Sequence, residues 1–253
     1  MDFKIKIFQL LTCFTFVYGG VALGAELKYY KGEVRVLRGA LELPVQPNLT
    51  LKHNDKLRLG AKSLAIIVTK ASTVKISEHS TYILDLRQPE ILSGTLSKGR
   101  LVVQFLKSKL IKQLNKDKLE SKILKIQTRS ASIAVRGTKF FTYTGVKIGS
   151  VLTVESGIVD FKGKQQNKAI KLNDKTSSLT NENEKALRPR EFGFEKDINW
   201  NFESNNKEDN LEHNPRLYAK LEKTWEDYKT EQTTEWKNHK SDLENKWKNI
   251  FKD

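Results

Sequence analysis

Apolar and polar residues alternate in short runs along most of this chain, and the period changes only near its end. Val34 and Val36 alternate with Glu33 and Arg35. Leu57 and Leu59 follow, then Leu64, Ile66 and Val68, then Val74 and Ile76, then Ile83, Leu84 and Leu86. The gaps hold Asn54-Asp55, Gly60, Ser72, Glu78-His79-Ser80 and Gln88-Pro89. A period of two marks strands with one buried face, and breaks of this composition mark turns. Leu101, Val103 and Phe105 continue the series, followed by Leu124 and Ile126, Ile133 and Val135, Phe140 and Thr142, and Val151 and Thr153. Ser156-Gly157 reads as a tight hairpin turn before Ile158 to Phe161. Ile170, Leu172 and residues 178–180 read as closing strands. Pro44 and Pro47 bracket an edge or loop, because proline cannot donate to a ladder. The pattern predicts a mainly β fold: one all-β domain of many short strands over 26–189, built as a sandwich, a small barrel or a short β-helix.

From 215 onward the period becomes three and four. Asn214-Pro215 supplies an N-cap and a proline at the first helical position. Neither Gly nor Pro occurs beyond Pro215, so one amphipathic helix is predicted over 215–252, about 50–55 Å long. Trp225, Trp236 and Trp247 recur every eleven residues, which keeps them on one side. Leu221, Tyr228 and Leu243 extend this stripe, which needs a surface to cover it. That surface is a partner, a second copy or the chain's own β domain. Gln232 and His239 within the stripe argue against a tight coiled coil. Residues 190–214 read as a linker. A second break in period falls at 107–122, where Lys107, Lys109, Lys112, Lys116 and Lys118 are interleaved with Leu110, Ile111, Leu114 and Leu119. It reads as a basic amphipathic helical insertion, either touching an anionic lipid or polymer or capping the sheet with its lysines solvated.

The N-terminus changes the compartment. Lys4 and Lys6 precede an uncharged run that ends in Ala22-Leu23-Gly24-Ala25. Residues 1–25 therefore read as a secretory signal, cleaved after Gly24 or Ala25, which places the mature chain in the periplasm or cell envelope. An uncleaved anchor or a lipoprotein site at Cys13 are the alternatives. Cys13 is the single cysteine. Once the signal is removed, disulfides, thiol catalysis and cysteine metal sites are excluded. His53, His79, His213 and His239 have no metal-ligand spacing, and no cofactor motif is present. The formal net charge is +15, for which nucleic acid is the usual partner. Export, with no nucleic-acid motif or stacking platform, turns the expectation to anionic lipid headgroups, acidic glycans or acidic protein faces.

Residues 128–159 are the most distinctive part of the β domain. Thr128 opens a run of small and β-branched residues that leads to Arg136-Gly137-Thr138. An aromatic strand follows, then Glu155-Ser156-Gly157. Arg136 could clamp a carboxylate or phosphate, with Gly137 admitting a ligand to the backbone; equally, Gly137 could sit at a bulge while Arg136 caps carbonyls. Upstream, in order, come Gly32-Glu33-Val34, Asp55 to Gly60, Ser63 to Ile66, Gly94-Thr95-Leu96 and Gly99 to Val103. This ordered set, spanning about 32–189, resembles the FecR-like domain family. It departs from the family pattern at Arg129, where Pro is usual, and at Lys70-Ala71-Ser72, where an Asp-Gly-Ser turn is usual. The resemblance implies an extracytoplasmic all-β module of cell-surface signalling and other envelope proteins. Relatives of that kind relay signals to a sigma factor, but only six residues precede the apolar run here, so sigma-factor regulation is not expected.

The chain is thus expected to be a non-enzymatic envelope binding, scaffold or signalling module whose helix docks a protein partner or a second copy. The alternatives are a binder of anionic polymers or lipids and a glycan-active enzyme using a carboxylate pair such as Glu155 and Asp160. Intact-mass measurement of the exported protein should give a chain beginning at Ala25 or Glu26; a mass that retains the N-terminal run would establish the anchor instead.

Overall fold

A computed structural model describes residues 24–105, 123–135, 137–145, 149–180, 183–202 and 215–250. The insertion at 107–122 therefore lies outside the described residues, as do Arg136 and the residues before Gly24. The strands are β1 (Ala25–Lys31), β2 (Val34–Arg38), β3 (Leu41–Leu43), β4 (Leu49–Leu51), β5 (Lys56–Leu59), β6 (Leu64–Val68), β7 (Ser72–Ile76) and β8 (Thr81–Asp85). They continue as β9 (Ser93–Phe105), β10 (Leu124–Thr128), β11 (Ala131–Val135), β12 (Lys139–Thr144), β13 (Ser150–Ser156), β14 (Val159–Gly163), β15 (Ile170–Leu172) and β16 (Ser177–Leu179). Helix α1 spans Pro215–Ile250.

The strands form two sheets that share β9. Sheet I has the order β4-β1-β6-β7-β9-β12-β13-β16. Sheet II has the order β3-β2-β5-β8-β9-β10-β11-β14-β15. Among the described pairs only β9 and β10 run parallel. The alternating pattern is the reason both sheets can share one core. Leu27, Ile67, Val74, Leu101, Val103, Phe140 and Val154 point in from sheet I. Val36, Leu57, Tyr82, Leu96, Ile126, Ile133 and Phe161 meet them from sheet II. The sheet edges stay open, so of the three architectures the pattern allowed, this is a sandwich and not a closed barrel.

Strand β9 holds the sheets together. Its first half pairs with β8 and β10 in sheet II. Its second half pairs with β7 and β12 in sheet I. Gly99 marks the change, at φ +98°, where a Cβ would lie 2.1 Å from the Ser80 hydroxyl and 2.5 Å from its Cα. Only glycine combines that backbone angle with so close an approach. The Ser80 hydroxyl accepts the Arg100 N–H at 3.0 Å, which pins the strand just past the bend.

Two expectations are corrected. Ser156-Gly157 is not a hairpin turn: β13 lies in sheet I and β14 in sheet II, so this link arches from one sheet to the other. Two facing sheets need such arches, and at the level of sequence an arch and a hairpin turn look alike. Residues 190–202, assigned to the linker, instead lie across the outer face of sheet I as a strap with one 3-10 turn at Glu195–Asp197. The strap's apolar residues, Phe192, Phe194, Ile198 and Trp200, lack any regular period, so only the sheet reveals their use.

The bend can be tested with two glycines. Gly39 is also at positive φ (+62°), but nothing lies within 4 Å of its would-be Cβ. Gly39→Ala should cost about 1 kcal/mol, the strain of that backbone region alone. Gly99→Ala should cost more than about 2 kcal/mol, because Ser80 must also move. Urea unfolding of the two variants measures the difference.

Candidate docking helix and its seat

The outer face of sheet I is apolar where a solvated sheet would be polar. Val102, Phe141, Val151 and Leu179 line it, from β9, β12, β13 and β16. Cross-strand register puts Val102 beside Phe141, and Val151 beside Leu179. The first turns of α1 cover this patch with Leu217, Leu221, Trp225 and Tyr228, and the strap adds Phe194 and Ile198. The helix stripe thus meets a surface in its own chain over its first half.

Polar groups fix the seat. Arg100, beside the Gly99 bend, emerges on this face next to the buried Glu78 carboxylate at 3.7 Å. Its guanidinium lies 5.0 Å from the centre of the Tyr218 ring on α1, a stacking contact that favours a desolvated cation. Tyr218 in turn meets Tyr143 edge to face at 5.9 Å. Burial pushes both phenols up in pKa, so both remain neutral at physiological pH. Lys75, almost fully buried, donates to the Asn199 carbonyl at 2.9 Å and to that of Asn201, tying the strap to β7. Two ion pairs brace the helix from outside: Lys220 to Asp197 at 2.5 Å, and Arg190 to Glu231 at 2.9 Å. The Arg190 hydrogen bonds hold the Glu231 carboxyl below the usual carboxylate range. That brace is therefore in place at neutral pH and is lost as acid protonates Glu231.

Beyond this brace α1 leaves the sandwich behind. Trp236 is 66% exposed and Leu243 41% exposed, whereas Trp225 is 4% exposed. The six residues read as one docking face are therefore divided. Leu221, Trp225 and Tyr228 are covered by the chain's own sheet, and Trp236 and Leu243 are open. The Trp247 side chain lies outside the described ones. Eleven-residue spacing keeps the open residues on the same side of the helix as the sealed ones, so the stripe runs past the edge of the sandwich.

The distinctive motif residues are placed in the fold. The Thr128 hydroxyl bonds both Ala131 backbone groups, at 2.9 and 3.0 Å, and the Ser150 hydroxyl at 2.6 Å. Ser130 links Ser150 to Thr180. This buried network contains hydroxyls and backbone groups, with no base among the described residues to activate one of them. Gly137 and Gly157 are both at positive φ, and a Cβ on Gly157 would lie 2.3 Å from the Thr138 methyl and 2.8 Å from the Gly137 carbonyl. The two halves of the motif thus pack on each other. Thr138 is buried. Glu155 pairs with Lys175 at 2.8 Å, at the rim of a groove of about 440 Å³ lined also by Glu191, Glu195 and Trp200. Upstream, the Asp55 carboxylate binds Arg38 through two bonds of 2.8 Å and the Lys52 N–H, joining two turns.

Glu155 and Asp160 do not form a pair. Glu155 follows the outward residues Val151 and Thr153 on sheet I, whereas Asp160 alternates with the inward Val159 and Phe161 on sheet II. The core separates them, so they cannot flank one glycosidic bond. Among the described residues no group of three or more His, Cys, Asp or Glu side chains is placed to hold a metal ion. No helix among them is long and apolar enough to cross a membrane. Lys107, Lys109, Lys112, Lys116 and Lys118, expected as polyanion contacts, lie outside the described residues.

No family model matches this chain, and no curated protein matches it. Among solved structures, two crystal structures of a "putative anti-sigma factor" from Parabacteroides distasonis ATCC 8503 align with it at 14% identity. Each alignment covers 53% of this chain and 58% of the other, with a TM-score of 0.41.

The two halves of the helix should respond differently to truncation of their tryptophans. Trp225→Ala should cost about 3–5 kcal/mol, the usual loss for a buried aromatic. Trp236→Ala should change stability by less than about 0.5 kcal/mol. Thermal unfolding followed by circular dichroism measures both.

Proposed function

We propose that this chain is a non-enzymatic, FecR-like binding or scaffold module of the cell envelope, with a rigid sandwich that carries a docking helix. The observation behind this reading is the exposure of Trp236 and Leu243 on the continuation of a stripe whose earlier residues are sealed. Large aromatic side chains on an otherwise polar helix are the residue type that dominates binding energy at interfaces. The sandwich serves as the mount: Arg100, Lys75 and the strap fix the direction in which the free half of the helix projects. Export to the envelope is the expectation drawn from residues 1–25, and it sets the compartment in which a partner is sought.

The test is crosslinking of the tagged chain in intact envelopes, comparing the native sequence with Trp236→Lys/Leu243→Lys. A chain ending at Pro189 would not serve, because it would bare Phe141, Val151 and Leu179. Products captured by the native chain and lost in the double variant support docking through this half of the helix. An identical set from both chains would overturn it.

A second reading has its own observation. Lys56, Arg58, Lys98, Lys125, Lys162 and Lys171 belong to strands of sheet II and are at least partly exposed. Among the described residues none of them forms an ion pair. This face is the counterpart of the covered face of sheet I, and it carries the charge expected of a surface for an anionic polymer or lipid headgroups. Retention on a carboxylated polysaccharide that weakens steeply with salt, and weakens further in Arg58→Glu/Lys125→Glu, supports this reading. Retention that ignores salt removes it.

A further inference from the structure

We infer that the occupant of the open helix face is the same face of a second copy, arranged antiparallel. This rests on the reading of α1 as a docking arm and names its partner.

Sterics decide the direction. The stripe points toward the chain's own sandwich, which occupies it as far as Tyr228. A second helix laid on the stripe must therefore fit beyond that residue, opposite Trp236 and Leu243. The second copy has its own sandwich on the stripe side of its own helix. In a parallel pair both sandwiches would sit at the same level on facing sides, each in the space of the other's helix. Reversing one helix moves the sandwiches to opposite ends and leaves the stretch 231–250 of each copy free to pair over about 30 Å.

Charge decides the same way. Residues 226–235 carry Glu226, Asp227, Glu231 and Glu235 against Lys229. Residues 237–248 carry Lys237, Lys240, Lys246 and Lys248 against Asp242 and Glu244. Antiparallel pairing of 231–250 brings unlike charges level where the two helices overlap, whereas parallel pairing would align like with like. With the pair centred between Lys240 and Ser241, Glu235 of one copy comes level with Lys246 of the other and Lys237 with Glu244, and Trp236 lies about one helical turn from the two-fold axis. The stripe's spacing of threes and fours repeats every eleven residues from Trp225 through Tyr228, Gln232, Trp236, His239 and Leu243. That spacing suits nearly straight helices, which can lie along each other without winding into a left-handed supercoil. The polar Gln232 and His239 make the pair moderate in strength and reversible.

The test uses the full chain, with Cys13 absent or replaced by serine. Light scattering should show a dimer at high concentration that dissociates on dilution. Trp236→Lys should be monomeric at every concentration with an unchanged thermal midpoint, since Trp236 supports nothing in its own sandwich. Spin labels at Ser241→Cys and Thr230→Cys, both away from the stripe, read the direction. The label at 241 should be close to its twin across the axis, and the label at 230 farther apart by about 30 Å. Equal separations would mean a parallel pair and overturn the proposal. So would a native chain that stays monomeric, or a Trp236→Lys chain that still dimerises. A monomer that nonetheless captures an envelope protein through Trp236 would overturn self-pairing and leave the docking reading standing.

Discussion

Everything on the outer face of sheet I depends on the bend of β9 at Gly99. One thirteen-residue strand serves two sheets, and it does so because the backbone passes directly over Ser80 at a positive φ. The bend brings Arg100 out of the strand beside Glu78 and under the Tyr218 ring. A buried ion pair of this kind adds little net stability against an apolar substitute, but breaking it leaves a charge without compensation. Its value here is positional: it favours one placement of α1, with Tyr218 over the guanidinium and Leu221 and Trp225 in the apolar cluster on the outer face of sheet I. The direction in which the rest of the helix projects is thus set by a glycine more than a hundred residues earlier in the chain.

The two outer faces of the sandwich have opposite chemistry. Sheet I presents Val102, Phe141, Val151 and Leu179 and is covered by the strap and the first half of the helix. Sheet II presents lysines and arginines with carboxylates such as Glu42 and Asp160 among them, and has no such cover among the described residues. Burying the apolar patch is worth roughly 25 cal/mol for each Å² removed from water, which is what holds the strap and the first turns of α1 to the domain. The same energetics make the open half of α1 a liability for an isolated chain, since Trp236 and Leu243 gain nothing while facing solvent. A moderate, reversible contact for that half relieves the exposure and keeps the sandwich independent of it.

The motif residues have a shared logic. Gly32, Gly137 and Gly157 adopt positive φ, and at Gly32 and Gly157 another backbone or side chain passes close by. Asp55, Thr128 and Ser63 supply hydrogen bonds that hold turns shut. In a sandwich whose chain crosses repeatedly between sheets, the crossings need special backbone geometry and the strands need only alternation. Most positions that stand out in the sequence are therefore the crossings, with Thr128 closing the β10–β11 hairpin within sheet II. That is why 128–159 is so legible and why it supplies scaffold geometry. Ser156-Gly157 shows the limit of such legibility: glycine at a break announces a change of direction, but whether the next strand pairs with the last one or crosses to the other sheet is decided by neighbours far away in sequence.

By itself the sequence determined the mainly β class, the position of most strands, the long helix and its stripe, because these arise from periodicities of two and of three to four that each segment carries locally. The division of that stripe was decided by the tertiary structure alone. Trp225 and Trp236 are the same residue type, eleven positions apart on the same side of one helix, and no local property separates them. One is buried in the apolar cluster on sheet I and the other lies past it in solvent, a difference set by where a helix of fixed rise meets a sandwich of finite width.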